Sequence, residues 1–504
     1  MFPIVLLWCF AGMCLACLDN QDAAFKATGI ACRITKPAAL VLNEQTTNVI
    51  QAAFQHARYP DMKGEKYILF IGKVYYGLNN LEIHNLSIGK SEVELRQDND
   101  VLIDIASISV TFNGTLKYGY GNWLFDMGSF VDFELESHVD LKIPTDLYCS
   151  NDRVAADTTG CSINFHKLQL HLQGDRQPGW IKRMFTDFVM FTVKRTVGRQ
   201  ICREINKAAD ILAEFIQQRA ELFLSDGDIG VDITLTASPK LTDHYIESYH
   251  KGVARAMNIT VPIVDSGFCP TLLTEHRMLY FWISDQVLQG LVSFAHQGGR
   301  FSRSVVGQEL KDLFHVNLDA TTPQLVSQLL SSEQPLAKMW SLLPPQLWTT
   351  PQGTSVRTVA AVELKSSSSD PEPSLLFHTE VEVVVQSSYA DKQLILDVKP
   401  TEIVILKTLT AGGQELDEDV DVEYLKEVVR KIGIPKVVSD LEPGLTKMMD
   451  SHGLHLFDII NPEVISQQGY VVVQLDFGFP HHLLVEFLQK TLQSSAASST
   501  AEEN

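Results

Sequence analysis

Positive charge is scarce in this 504-residue chain: 41 Lys and Arg stand against 61 Asp and Glu, a formal net charge of −20. No Lys- or Arg-rich tract occurs, so nucleic acid, whose phosphates need clustered cations, is excluded as a partner. The same sign disfavours strong electrostatic attachment to anionic membranes or lipopolysaccharide. Catalytic fingerprints are missing as well. There is no G-x-S-x-G nucleophile elbow, no H-E-x-x-H zinc motif, no P-loop and no G-x-G-x-x-G turn. The adjacent pair His481-His482 has no further ligands at metal-binding spacing and reads as surface imidazoles. The expectation is a protein that is not an enzyme and holds no cofactor or metal. After the N-terminus no stretch of about twenty apolar residues follows, so no transmembrane segment is expected.

What is present reads as globular: 45% hydrophobic and 20% charged residues. A chain of this length exceeds one ordinary core, which predicts two large domains. Residues 1–16 (MFPIVLLWCFAGMCLA) carry no charged side chain, run apolar and end on small Ala16. That is the pattern of a secretory signal peptide. Its removal leaves Cys17, Cys32, Cys149, Cys161, Cys202 and Cys269. Six cysteines allow many pairings, and spacing does not choose among them; in a large secreted protein at least one bridge is expected beside free thiols. Sequons at Asn85, Asn113 and Asn258 fit secretion, with Asn113 inside a strand-like run.

Along the chain, Pro37 to Tyr59 predicts a first helix, with Pro37 at its start and Pro60 ending it. From Glu65 to Leu172 the apolar residues alternate, as in Val131, Phe133, Leu135, Val139, Leu141 and Ile143, which predicts an antiparallel meander. Pro178 then opens a helical pattern to about Leu224, in which Val197, Ile201, Ile205, Ala208 and Leu212 recur at threes and fours. Such a helix would be roughly 70 Å long, with a bend near Gly198. The second half repeats the plan. Strands are expected from Ile229 through Trp282, a helix at Ser284 to His296, and strands at Phe301 to Val316 and Thr354 to Leu409. Short helical or irregular pieces are expected at Pro323 to Leu330 and Trp340 to Trp348, and a helical region at Leu416 to Met449 broken at Pro435. The order helix, meander, long helix thus occurs twice. In the last stretch Leu483, Leu484, Phe487, Leu488 and Leu492 share one face of an amphipathic helix. Periodicity alone leaves two readings, a helix packed permanently on its domain or a detachable lid.

Several strings resemble one family. They are GIACRITKPAALVLN (Gly29 to Asn43), FNGTLKYGYGNW (Phe112 to Trp123), FHKLQLHLQGDRQPGWIKRMFT (Phe165 to Thr186), QICREIN (Gln200 to Asn206), LSDGDIGVDITLT (Leu224 to Thr236) and the run LFDIINPEVISQQGYVVVQLDFGFPHHLLVEFLQ (Leu456 to Gln489). The family is that of the secreted lipid-binding proteins that include bactericidal/permeability-increasing protein and lipopolysaccharide-binding protein. The last run, with its terminal helix, is similar to the family's cholesteryl ester carriers. The resemblance spans nearly the whole chain and is weakest from Arg300 to Lys399.

The resemblance implies an α+β fold: an elongated boomerang of two similar domains, each a highly twisted antiparallel sheet wrapped around a long helix. A central sheet would join them, and a C-terminal amphipathic helix would follow. The implied division is 1–16 signal peptide, 17–224 N-terminal lipid-binding domain, 225–258 central sheet and 259–479 C-terminal lipid-binding domain. Residues 480–492 would be the lid helix and 493–504 a disordered tail. The implied function is exchange of cholesteryl esters and triglycerides, with some phospholipid, between lipoprotein particles in plasma. An apolar tunnel would carry the lipid, in a protein that acts as a monomer. The alternatives within the family are phospholipid transfer and lipopolysaccharide binding. By the same match, Cys161 and Cys202 correspond to the family's shared disulfide, while Cys32 and Cys149 look unpaired. Gln217, Arg219, Ser248 and His250 fall where phospholipid head groups would be held at a tunnel mouth. Read from the residues alone, Gln217 and Arg219 are the solvated face of a helix; only the resemblance sets the head-group role level with that reading. Lys194, Arg195, Arg199 and Arg203 include a basic stripe at spacing four. Most such stripes are solvated faces; the alternative is contact with anionic phospholipid on a particle surface. The acidic run from Glu415 to Glu423 suits a helix N-terminus and is read as no ligand site.

Overall fold

The computed structural model describes residues 26–44, 46–56, 59, 61–68, 72–97, 100–120, 129–173, 179–256, 259–268, 276–317, 322–366, 374–410, 421–451 and 458–478. The signal segment 1–16, Asn258, the lid helix 480–492 and the tail 493–504 lie outside the described residues.

The chain opens with β1 (Ile30–Thr35), α1 (Lys36–Asn43) and α2 (Thr46–His56). A meander follows: β2 (Met62–Ile68), β3 (Gly72–Ser87), β4 (Ser91–Leu95), β5 (Asp100–Tyr120), β6 (Ser129–Ser150), β7 (Arg153–Asp157) and β8 (Ser162–Leu172). Helix α3 (Gly179–Phe223) is 45 residues long. After it come β9 (Ile229–Asp232), β10 (Lys240–Leu241), β11 (Tyr245–His250), β12 (Val253–Ala256), β13 (Ile259–Val261) and β14 (Leu279–Ser284). Next are α4 (Asp285–Gln297), β15 (Ser302–Val306), α5 (Gly307–Asn317), α6 (Gln324–Leu330), β16 (Leu336–Ser341) and β17 (Gln346–Thr350). Then β18 (Gly353–Lys365), β19 (Ser374–Ala390), β20 (Gln393–Thr410), α7 (Val422–Val428), α8 (Ile434–Ser451), β21 (Asp458–Gln467) and β22 (Tyr470–Gly478) complete the described chain. The fold is α+β with antiparallel sheets, and the described chain divides into two compact units. The N-terminal unit takes residues 34–217 and 239–247; the C-terminal unit takes 218–238 and 248–477 together with the chain up to Arg33.

In the N-terminal unit the sheet runs β2-β3-β5-β6-β7, with β4 on β5 and β8 on β6. Strict alternation along β6 turns Val131, Phe133, Leu135, Val139, Leu141 and Ile143 inward, and all six are buried. They pack against Val189, Val193, Val197, Ile201 and Ile205 of α3 in one cluster. These five helix residues are spaced by four and no more than 5% exposed. All five are β-branched and intrinsically weak helix formers, so packing rather than propensity stabilises this stretch of helix. Each buried side chain contributes about 1.5–3 kcal/mol relative to exposure. On β5 both Ile105 and Ile108 are fully buried, which simple alternation forbids. A register shift between them, with Ser107 at φ 60°, resets the phase. The bulged Ser107 N–H donates to Asp140 Oδ1 at 3.0 Å, so the irregularity leaves no orphan donor there.

In the C-terminal unit a second sheet runs β15-β16-β18-β19-β20, with β17 on β18. Its inner residues Leu364, Leu375, Phe377, Val381 and Ile403 pack against Tyr424, Leu425, Val428, Val429 and Ile432. The expected break in this helical region takes the form of one π-turn, Val429–Gly433, between α7 and α8. Ile434 N–H donates to Val429 O, and Pro435, which has no N–H, follows at once. Helix α4 starts where its cap predicts: the Ser284 hydroxyl accepts from Gln286 N–H.

Two expectations are corrected. Phe301 to Val316 is not one strand; β15 stops at Gly307, whose φ of 60° suits glycine, and α5 begins there. Leu310, Leu313 and Phe314 then fall at helical spacing, with Leu310 and Phe314 buried. Trp340 to Trp348 is not helical: Leu336–Ser341 and Gln346–Thr350 both pair with β18, which satisfies backbone groups a short helix would have left open. Cys161 and Cys202 are joined by a disulfide that ties the start of β8 to α3. The expectation that Cys149 is unpaired is also corrected: it is disulfide-bonded. Cys32 is not part of a disulfide.

Candidate functional site

Ser248 and His250 stand two apart on β11 and therefore share a face of that strand. Tyr249 points the other way and packs with Ala31, Tyr280, Trp282 and Tyr470. The His250 Nδ1–H donates to the Ile233 carbonyl at 2.8 Å. A carbonyl can only accept, so this contact fixes the neutral tautomer, and Nε2 accepts from the Ser248 hydroxyl at 2.9 Å. Burial pushes the imidazole pKa below its usual 6.5, which favours the same neutral form. The pair therefore presents hydroxyl lone pairs and no spare N–H to a guest. In the same unit the Thr28 and Thr236 hydroxyls meet at 2.8 Å, both buried. The Thr234 hydroxyl is buried with no partner.

A hydrogen-bonded serine and histidine invite comparison with a nucleophile and its base. The surrounding donors do not support that chemistry. Gly29 N–H is shared between His250 O and Lys251 O, Thr236 N–H goes to Tyr249 O, and Lys251 N–H goes to Thr234 O. Thr234 N–H goes to Asp232 Oδ1. Every one of these backbone donors is committed within the protein, so none of them holds a developing oxyanion. The arrangement can orient a polar group, not stabilise a transition state.

Of the four residues assigned to head-group contact, the structure brings together Ser248 and His250. Gln217 is half-buried on α3 in the N-terminal unit. Arg219 lies on α3 by its backbone, and its side chain is outside the described residues. The lid residues Leu483, Leu484, Phe487, Leu488 and Leu492 are also outside them. Among the sequons, Asn85 is exposed on β3, while Asn113 sits on β5 with its carboxamide oxygen buried and unpartnered. Among the described residues no cluster of metal-ligating side chains occurs, and no helix is long and apolar enough to cross a membrane.

Three buried polar residues escaped the reading of the sequence. Arg33, 5% exposed, places its guanidinium 5.4 Å from the Trp282 ring centroid. Glu204 is buried on α3, with Oε1 2.9 Å from Lys207 Nζ. Tyr59 packs edge-on against Phe112 inside the N-terminal unit, its hydroxyl buried without a partner. Burial first, and the Glu204 charge second, hold its pKa far above the phenol range. The signal for Glu204 was present: it falls between Ile201, Ile205 and Ala208 on the apolar stripe.

The model of the LBP / BPI / CETP family, N-terminal domain, matches residues 40–217. The chain is 43% identical to the cholesteryl ester transfer protein of Gallus gallus over 476 residues, 93% of this chain and 94% of that one. It is 43% identical to the Homo sapiens cholesteryl ester transfer protein over 484 residues, 94% of this chain and 98% of that one. Identity to the phospholipid transfer protein of Mus musculus is 22% over 79% of this chain and 78% of that one. Likeness of this depth over nine-tenths of the sequence, on a frame of sheets packed around helices, has one consequence: the chain belongs to the LBP / BPI / CETP family.

Proposed function

We propose that this chain is a secreted lipid-transfer protein, not an enzyme, that exchanges cholesteryl esters and triglycerides, with some phospholipid, between lipoprotein particles. The observation that carries the reading is the near-full-length similarity to cholesteryl ester transfer proteins, about twice the identity found to the phospholipid carrier. The task is transfer without bond-making. An acyl chain of about eighteen carbons drawn into water faces roughly 14 kcal/mol at about 0.8 kcal/mol per methylene. A carrier lowers that barrier by replacing water with an apolar wall, and the apolar side chains clustered on sheet and helix in each unit are of the type such a wall would need.

In this reading domains 17–224 and 259–479 supply the apolar tunnel. Gln217, Arg219, Ser248 and His250 contact phospholipid at its mouth. Because Ser248 and His250 offer acceptors, Arg219 is the phosphate partner of the set. The face Leu483, Leu484, Phe487, Leu488 and Leu492 acts as a lid. The protein circulates in plasma as a monomer and docks on particle surfaces.

The test is organic extraction of the secreted protein followed by mass spectrometry, beside an ester-transfer assay on the wild type and the double variant L484D/F487D. Cholesteryl ester is expected in the extract, and the variant is expected to fold, be secreted and transfer at least tenfold less. Sterol ester absent from the extract, with phospholipid alone in its place, would assign the chain to phospholipid transfer. Full activity of the variant would remove the lid from the mechanism.

A further inference from the structure

On α3 a second row of residues at spacing four runs Asp187, Phe191, Arg195, Arg199, Arg203 and Lys207. It lies two positions from the buried row that starts at Val189, and so on the outer side of the helix. Lys194, Arg195, Arg199 and Arg203 line one wall of an open groove of about 680 Å³. Thr158 and Thr159 form part of the facing wall.

Both walls are held. Thr158 N–H and Oγ1–H donate to Asn206 Oδ1 at 3.2 and 2.7 Å. The Cys161–Cys202 bond crosses the same seam. The groove is therefore preorganised, not a gap between loose segments.

Its charge is unbalanced. Lys207 is taken by Glu204 at 2.9 Å. Lys194, Arg195, Arg199 and Arg203 are exposed, and none makes an ion pair among the described residues. Like charges at i,i+4 destabilise a helix slightly, and Arg195, Arg199 and Arg203 make two such pairs in a chain whose net charge is −20. Carboxylates stand at the margins of the patch: Asp187 begins the row, Asp157 accepts from Thr159 N–H beside the facing wall, and Asp210, its pKa raised by burial first and by Asp157 second, follows Lys207 on the helix. Phe191, 65% exposed, stands one turn before Arg195. An exposed aromatic followed by unpaired arginines is the residue pattern of an interfacial face, with an apolar group for the acyl boundary and cations for the phosphates.

We propose that this face of α3 docks on the phosphate groups of anionic phospholipids in a lipid surface. The arginine forks pair with phosphate oxygens, and Phe191 enters the head-group boundary. At about 0.15 M salt the Debye length is about 8 Å, so carboxylates elsewhere on the molecule are screened while this patch is in contact. The inference rests on the lipid-carrier reading only for its purpose; the binding itself is measurable without transfer.

The experiment is flotation of the full secreted chain with phosphatidylcholine vesicles and with phosphatidylcholine vesicles containing phosphatidylserine, at physiological salt. The triple variant R195Q/R199Q/R203Q is expected to bind the anionic vesicles roughly 100-fold more weakly, the loss for three cations near such a surface. Its binding to phosphatidylcholine alone should stay within about twofold. Phe191→Ser, an exposed position with no packing role, is expected to weaken binding to both vesicle types. Retention of the Cys161–Cys202 bond and of the far-ultraviolet spectrum verifies folding. A chain that moves no ester yet keeps arginine-dependent vesicle binding upholds the docking face alone. Equal binding of the triple variant and the wild type to anionic vesicles overturns it, whatever transfer does. Complete displacement by soluble glycerophosphoserine also overturns it, in favour of a site for free phosphate.

Discussion

His250 shows how much one hydrogen bond determines. Its Nδ1–H is committed to Ile233 O and its Nε2 to Ser248, and burial depresses its pKa below 6.5. The unfolded chain then binds more protons than the folded one just below pH 6.5, so stability rises with pH through that window. The contribution is fully present above about pH 6.5 and is lost as pH falls toward the depressed value. Thermal unfolding measured between about pH 8 and pH 5.5 is expected to show a steeper loss for the wild type than for His250→Gln, and equal slopes would mean the imidazole is not the titrating group. At this scale the sequence was legible unevenly. Ser248 and His250 could be placed on one strand face, but the acceptor from Ile233 comes from a segment seventeen residues earlier than His250, and no local pattern announces it. Arg33 illustrates the same limit: its buried guanidinium stands over the ring of Trp282, far along the chain.

Among elements, α3 was the most legible, because its apolar residues recur at threes and fours for about ten turns. The helix spans Gly179–Phe223, within a residue of the pattern's limits. Its inner row carries packing and its outer row carries charge, so neighbouring substitutions should differ sharply. Ile201→Ala is expected to cost about 2–5 kcal/mol, a cavity against the sheet. Arg199→Ala, exposed, should stay within about 0.5 kcal/mol. Denaturant midpoints for the N-terminal unit measure both, and comparable losses would show that the helix does not divide its labour in this way. The meander is equally legible up to the bulge at Ser107, where alternation changes phase. Short elements were harder. Gly307 could have been taken as a strand residue or as a boundary, and its positive φ decides for the boundary. The segment around Trp340 lacks a period long enough to separate strand from irregular chain, and only pairing with β18 resolves it.

For the molecule as a whole, the repeated order of helix, meander and helical region is visible in both halves of the sequence, and each unit has its own apolar cluster of sheet and helix. What no local pattern could reveal is where charge accumulates in space. A net −20 repels anionic surfaces at long range, while the arginine row attracts at contact. The two act over different distances, so salt should separate them. Stopped-flow association with phosphatidylserine-containing vesicles is expected to accelerate from about 0.02 M to about 0.15 M salt, as the long-range repulsion is screened. It should slow again by about 0.5 M, as the contacts themselves weaken. A monotonic fall would mean that repulsion by the rest of the molecule is negligible.

The bond between Cys161 and Cys202 bears on how a bulky guest could enter. It rivets helix to sheet along one margin of the N-terminal unit, so that margin cannot part. In the proposed carrier reading a sterol ester would therefore enter away from this seam, which the bond holds closed.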